Sequence, residues 1–138
     1  MPRTFSHKSM PTLVPILRIF DYAKAVEFYV DWLGFAVDWA DQPAQAPAYL
    51  QVSMAGVVLN LSEHHGDCCP GARVRVLDFA DLAGYRRQLL AKNYRYNRPG
   101  LHTPAWDANA LEMEVIDPFG NRLTFTELSP KKTAAPVV

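Results

Sequence analysis

The densest run of chemically capable residues is Glu63-His64-His65-Gly66-Asp67-Cys68-Cys69, where two imidazoles, two thiols and two carboxylates fall in one short stretch. Metals such as zinc favour these donors. A tetrahedral site needs them to converge, however, and adjacent histidines and adjacent cysteines on one loop do so poorly. Neighbouring cysteines also bridge only with strain, and two cysteines make no secreted-type framework. The stretch therefore reads as a polar loop carrying reduced thiols. Glu63, His64 and His65, with His102 in a later loop, are left as candidate acid or base groups near neutral pH.

A second set, Arg18, Arg73, Arg75 and Arg122, is spread along the chain in strand-like runs. Side chains alternate between the faces of a strand. With Leu59, Leu61, Leu123 and Phe125 turned toward helices, Val58, Asn60, Ser62, Arg122, Thr124 and Thr126 take the opposite face. The same parity puts Arg73 and Arg75 outward, and Val14, Ile16 and Arg18 with them. Two readings stay open for these arginines. They are solvated partners of Glu112 and Glu114, or they recognise an anion, for which guanidinium offers a planar fork. Trp39, His102 and Trp106 stand at strand or loop ends, where aromatic and imidazole groups can touch a ligand.

Positioning these groups falls to two helices and a series of strands. Asp21-Tyr-Ala-Lys-Ala-Val-Glu-Phe-Tyr-Val-Asp-Trp-Leu33 repeats apolar residues at helical steps through Tyr22, Ala25, Val26, Tyr29, Trp32 and Leu33. Asp21 serves as N-cap and Gly34 as the left-handed stop. Strands are expected over 13–19, 35–41, 49–54 and 57–62, the last two turned at Ala55-Gly56. The second half repeats this order: a strand over 73–77, a helix over 79–92 with Tyr85 and Leu89 inward, and strands over 94–98, 111–116 and 122–127. Asp117-Pro118-Phe119-Gly120-Asn121 turns the last pair. Gly56, Leu59 and Glu63 fall on Gly120, Leu123 and Glu127 at one constant offset, and Phe20, Val26 and Phe35 fall on Phe79, Tyr85 and Tyr94 at another. The chain thus reads as an α+β fold of two duplicated βαβββ modules, about 12–63 and 72–128. They form a single domain over 1–128, with a loose arm at 1–10 and a flexible tail at 129–138.

The 138 residues balance 14 Lys and Arg against 14 Asp and Glu, which gives no reason to expect nucleic acid or an anionic membrane. No apolar run approaches a membrane span, and the expected location is cytoplasmic.

The strings VPILRIFDYAKAVEFYVDWLGF and DPFGNRLTFTE resemble the two signatures of the glyoxalase/bleomycin-resistance, or vicinal oxygen chelate, superfamily, over about residues 12–128. The resemblance implies paired modules whose sheets curl around a cleft, often completed by a second subunit. Its metal enzymes carry ligands at positions that correspond here to Val14, Asn60, Arg73 and Thr124, and a shift of one residue brings only Leu13, Ala72, Leu59, Leu61, Leu123 or Phe125. None is a usual ligand for a catalytic divalent ion. The resemblance is therefore to the metal-free, bleomycin-resistance side, with no cofactor. A proline-tryptophan-glycine turn common there is replaced by PAWDANALEMEV, which sets Trp106 further from Asp117. What it implies is a homodimer that sequesters a small molecule, such as an antibiotic, at Arg18, Trp39, Asn60, Ser62, Arg73, Arg75, His102, Trp106, Arg122 and Thr124. The alternative is an enzyme of the same superfamily with relocated catalytic residues.

Overall fold

In the computed structural model of the protein, which describes residues 10–41, 45 and 47–129, the strands form two separate open sheets. The first has the order β1(Ile16–Arg18), β4(Val57–Ser62), β3(Tyr49–Met54), β2(Ala36–Asp41). The second has the order β5(Arg73–Val76), β7(Arg122–Glu127), β6(Leu111–Ile116). In each sheet the opening strand lies parallel to the closing one: Ile16 sits opposite Asn60, and Arg73 opposite Arg122. This equivalence is the duplication seen in the sequence, and the architecture is the expected α+β pair of modules.

The first module is the full βαβββ unit. Its opening strand is shorter than the apolar run 13–19, because Pro15 has no N–H to give; only its carbonyl joins the ladder, accepting from Asn60 N at 3.0 Å. Asp21 caps the helix as expected, accepting from Lys24 N at 2.9 Å. The helix then changes winding: α1(Tyr22–Val26) runs into a π-helical segment, Glu27–Trp32, closed by Leu33 N donating to Phe28 O at 2.9 Å. The wider turn brings Phe28 inside with Tyr29 and Trp32, all three at most 2% exposed. A regular α-helical reading had put only Tyr29 and Trp32 of these on the inner face. Gly34, at φ +93°, turns the chain out of the helix.

The second module departs from the expectation at one element. Residues 94–98 are not a strand, although α2(Leu82–Ala91) ends just before them, with Asn93 in the left-handed region at φ 55°. Tyr94 instead stacks on Trp32 at 5.0 Å between ring centres, and Asn97 donates from Nδ2 to Ile116 O at 2.8 Å. A side-chain amide thus satisfies the edge of β6 where a fourth strand would have paired. The start of α2 is also later than the apolar spacing suggested. Phe79 donates its N–H to Thr126 O at 2.9 Å and packs its ring on Phe125, so it prolongs the sheet side rather than the helix.

One core joins the modules, with Leu17, Phe28, Leu59, Leu82, Met113 and Phe125 among its members. Polar bonds cross it at several points. Tyr29 donates to Asp117 Oδ2 at 2.6 Å, Trp32 Nε1 to Leu89 O at 3.1 Å, Tyr85 to Leu33 O at 2.6 Å, and Asn121 Nδ2 to Arg18 O at 2.8 Å. Burial pushes the Tyr29 phenol well above its ordinary value, and the charge of Asp117 adds to this. Burial also raises the Asp117 carboxyl, against the bonds it accepts from Tyr29, Asn121 and Phe119. No helix among the described residues is long and apolar enough to cross a membrane.

Most of the expected tail, 130–138, and most of the expected arm, 1–9, lie outside the described residues.

Candidate functional site

Alternation along β5 and β7 decides what the second sheet shows away from the helices. Val76, Leu123 and Phe125 are buried in the core, while Arg73, Arg75 and Arg122 are exposed on the other face. Register then places Arg73 beside Arg122 and Arg75 beside Thr124, while β6 sets Glu114 opposite Thr124 and Glu112 opposite Thr126. The result is a groove of about 570 Å³ whose walls include Arg73, Arg75, His102, Trp106, Glu112 and Thr124.

Its charges are unequally held. Glu112, 8% exposed, accepts from Arg75 Nη2 at 2.9 Å and from Thr126 Oγ1 at 3.1 Å, and its other oxygen lies 3.4 Å from His102 Nε2. His102 is fixed there by a two-way backbone bridge with Glu112, N to O at 3.0 and 2.8 Å. Trp106 stands over Arg75, 5.3 Å from guanidinium carbon to ring centre, where a cation is attracted to the ring face. Glu114, by contrast, is shared between Arg73 at 3.4 Å and Arg122 at 3.2 Å, one long contact to each, and the arginine side chains are 70% and 45% exposed. Such contacts hold an arginine weakly and leave most of its donors available.

Arg122 stands on β7 beside the groove without lining it, and the other remaining candidates lie on the first sheet. Trp39 stacks on Tyr49 with ring centres 5.7 Å apart and planes 4° from parallel, and Asn60 Nδ2 donates to the Tyr49 hydroxyl at 2.9 Å. Arg18 donates from Nη1 to His64 O at 2.7 Å and lies over Phe20, so three of the four arginines share a surface and the fourth does not. Ser62 is fully buried and spent on structure: it donates to Asp67 at 2.6 Å and accepts from His64 N at 3.0 Å. Tyr49 was missed among the candidates, although its position in the 49–54 strand was the available signal.

The corresponding metal positions are divided in the same way. Arg73 and Thr124 line the groove, whereas Asn60 is on the other sheet and Val14 precedes β1. Asn60 is engaged with Tyr49 and Arg73 with Glu114, and an isopropyl, a guanidinium, an amide and a hydroxyl are no donor set for a catalytic divalent ion. Among the described residues no three His, Cys, Asp or Glu side chains gather as a metal site. In the loop between the modules, Cys68 and Cys69 are free thiols, and burial together with Asp67 pushes the Cys68 thiol up, away from the reactive thiolate.

The family model described as "Glyoxalase superfamily protein" matches residues 2–132. Solved structures share the fold at low identity. The bleomycin resistance determinant encoded on the transposon Tn5 is 19% identical, with a TM-score of 0.67 over 86% of this chain and 98% of its own. TnmS3, an antibiotic binding protein from Streptomyces sp. CB03234, is 23% identical, with a TM-score of 0.65 over 89% of this chain and 100% of its own. The bleomycin-binding protein of bleomycin-producing Streptomyces verticillus, solved with copper(II)-bleomycin, is 21% identical, with a TM-score of 0.62 over 86% and 97%. No curated protein matches the chain in sequence.

Proposed function

We propose that this chain, which belongs to the glyoxalase superfamily, holds a small anionic organic molecule, an antibiotic among the candidates, without converting it and without a metal. The observation that carries this reading is the Arg73–Glu114–Arg122 arrangement, in which two exposed guanidinium groups share the outer face of the second sheet with a single carboxylate between them, Arg73 lining the groove and Arg122 standing beside it. A ligand carboxylate or phosphate would gain charge-assisted bonds from both, and Trp106 supplies the apolar wall that a largely preformed site needs. The structural relatives that bind bleomycin support the choice of binding over chemistry, but an arginine-rich groove disfavours a cationic ligand such as bleomycin itself.

The first sheet supports a second element of the reading, a homodimer. Ile16 and Trp39 are 39% and 45% exposed on a sheet whose other side is core. In this reading a second copy brings its charged sheet opposite this aromatic one, so that Trp39, Tyr49 and Asn60 meet Arg73, Arg75 and Arg122 across the chain boundary. Arg18 and Thr124 belong to the two margins of the same cleft. Two free thiols suit a reducing, cytoplasmic setting.

The test is a thermal-shift and calorimetric screen against aromatic acids, phosphate esters and acidic antibiotics. Binding of anionic compounds, weakened about ten- to hundredfold by Arg73→Ala or Arg122→Ala, is the expected result. Cationic hits indifferent to both substitutions would contradict it. One contact favours a second reading, an enzyme: His102 Nε2 lies 3.4 Å from Glu112 in the groove wall, the arrangement of an acid–base pair. Consumption of a hit, abolished by His102→Gln in a folded protein, would select that reading.

A further inference from the structure

A second concavity, of about 740 Å³, lies on the helix side and shares no lining residue with the groove of the second sheet. The first helix contributes Lys24 and Glu27. The segment after α2, which failed to become a strand, contributes Tyr94, Arg95 and Tyr96, and Ile116 closes the far side. This segment is held in place rather than loose: Tyr94 stacks on Trp32, Tyr96 meets Tyr94 edge-on at 5.5 Å, and Asn97 is bonded to Ile116. Tyr96 and Ile116 are nevertheless 67% and 40% exposed, so the groove offers an apolar and aromatic surface to solvent.

Its charges are arranged unlike those of the other groove. Lys24, Glu27 and Arg95 take part in none of the ion pairs formed among the described residues, although Lys24 and Glu27 are one helical turn apart. Arg95 lies over Tyr96, 5.3 Å from guanidinium carbon to ring centre. Burial, with the charge of Glu27 adding to it, pushes the Tyr94 phenol up to about 12. Two cations and two carboxylates thus line the groove, but Asp117 is buried and accepts from Tyr29, Phe119 N and Asn121, so Glu27 is the carboxylate left to a ligand beside the exposed aromatic floor.

We propose that this groove is a second ligand site, for a zwitterion that carries an aromatic ring, of the aromatic α-amino acid class. The ligand carboxylate meets Arg95 and Lys24, its ammonium meets Glu27, and its ring lies against Tyr96 and Ile116. A purely anionic aromatic would oppose Glu27 and a purely cationic one would oppose Arg95. Each charge therefore adds to selectivity, not only to affinity.

The test uses the full-length protein and three probes that differ by one charge: L-tryptophan, indole-3-propionate without the ammonium, and tryptamine without the carboxylate. Saturable binding of L-tryptophan is expected, with each deaminated or decarboxylated analogue about tenfold or more weaker. Glu27→Gln should reduce L-tryptophan to the level of indole-3-propionate and leave that analogue unweakened, whereas Arg95→Gln should do the same relative to tryptamine. Both residues are exposed, so the variants are expected to fold, and a thermal melt checks this. Arg87→Ala, exposed on α2 and in neither groove, should leave L-tryptophan binding unchanged. Absence of saturable L-tryptophan binding up to about 10 mM would overturn the proposal. So would equal binding of indole-3-propionate, or loss of binding in Arg87→Ala with none in Glu27→Gln.

Discussion

The two sheets share a parallel pair followed by an antiparallel hairpin, four strands against three, and carry opposite surfaces. On the first, Trp39, Tyr49 and Asn60 form an uncharged stack; on the second, three arginines, two glutamates and His102 occupy equivalent ground. The duplicated glutamates differ as well. Glu127 is buried and accepts from the N–H groups of Asp81 and Leu82 at 3.1 and 3.0 Å, which satisfies the start of α2, while Glu63 is half-buried and accepts from Ala48 N at 2.8 Å in a loop. Duplication has kept the backbone pattern and the inward residues. What faces outward, and what the turns require, has diverged.

The turns give the strongest way to break this comparison. Asp117 accepts from Tyr29, Phe119 N and both Asn121 donors, whereas the first hairpin turns at Ala55-Gly56, and Ser53 at the end of β3 bonds only exposed Asp38. Asp117→Ala should cost about 3–4 kcal/mol, because several buried donors lose their acceptor. Ser53→Ala should cost less than about 0.5 kcal/mol. Denaturant unfolding of both variants measures the difference, and equal effects would mean that the two turns are not specialised. The glutamate pair follows: Glu127→Ala should cost about 2–3 kcal/mol and Glu63→Ala about 1 kcal/mol.

A smaller effect tests the helices. Burial raises the phenols of Tyr29 and Tyr85 above their ordinary value. The folded state then holds their protons more tightly than the unfolded state, so this contribution is intact below the ordinary value near pH 10 and is lost as pH rises above it. Stability should fall in that alkaline window, and less steeply in Tyr85→Phe; urea midpoints at several pH values report it. Smallest of all, Trp39→Ala should change stability within about 0.5 kcal/mol, since the ring is 45% exposed and lies outside the core.

The residues that face the core were legible in the sequence, because alternation in strands and helical spacing are periodic signals: Leu59, Leu61, Leu123 and Phe125 lie where parity put them. The 94–98 segment was not, since Tyr94 and Tyr96 alternate like a strand but are recruited by Trp32 and by each other. The π winding was equally hidden; it depends on how three aromatic rings share one interior. At the site, parity found Arg73, Arg75 and Arg122. It could not show that Arg18, on the same face by the same rule, belongs to the other sheet and is turned to His64.

The central claim is that one ligand site is made from the two unlike faces of two copies. The direct measurement is calorimetric titration of an anionic hit into an equimolar, refolded mixture of Trp39→Ala and Arg122→Ala chains. Each variant alone should bind weakly, while mixed dimers should recover one intact cleft of wild-type affinity. Failure of the mixture to recover any tight binding, with the protein dimeric and folded, would contradict a site shared across chains.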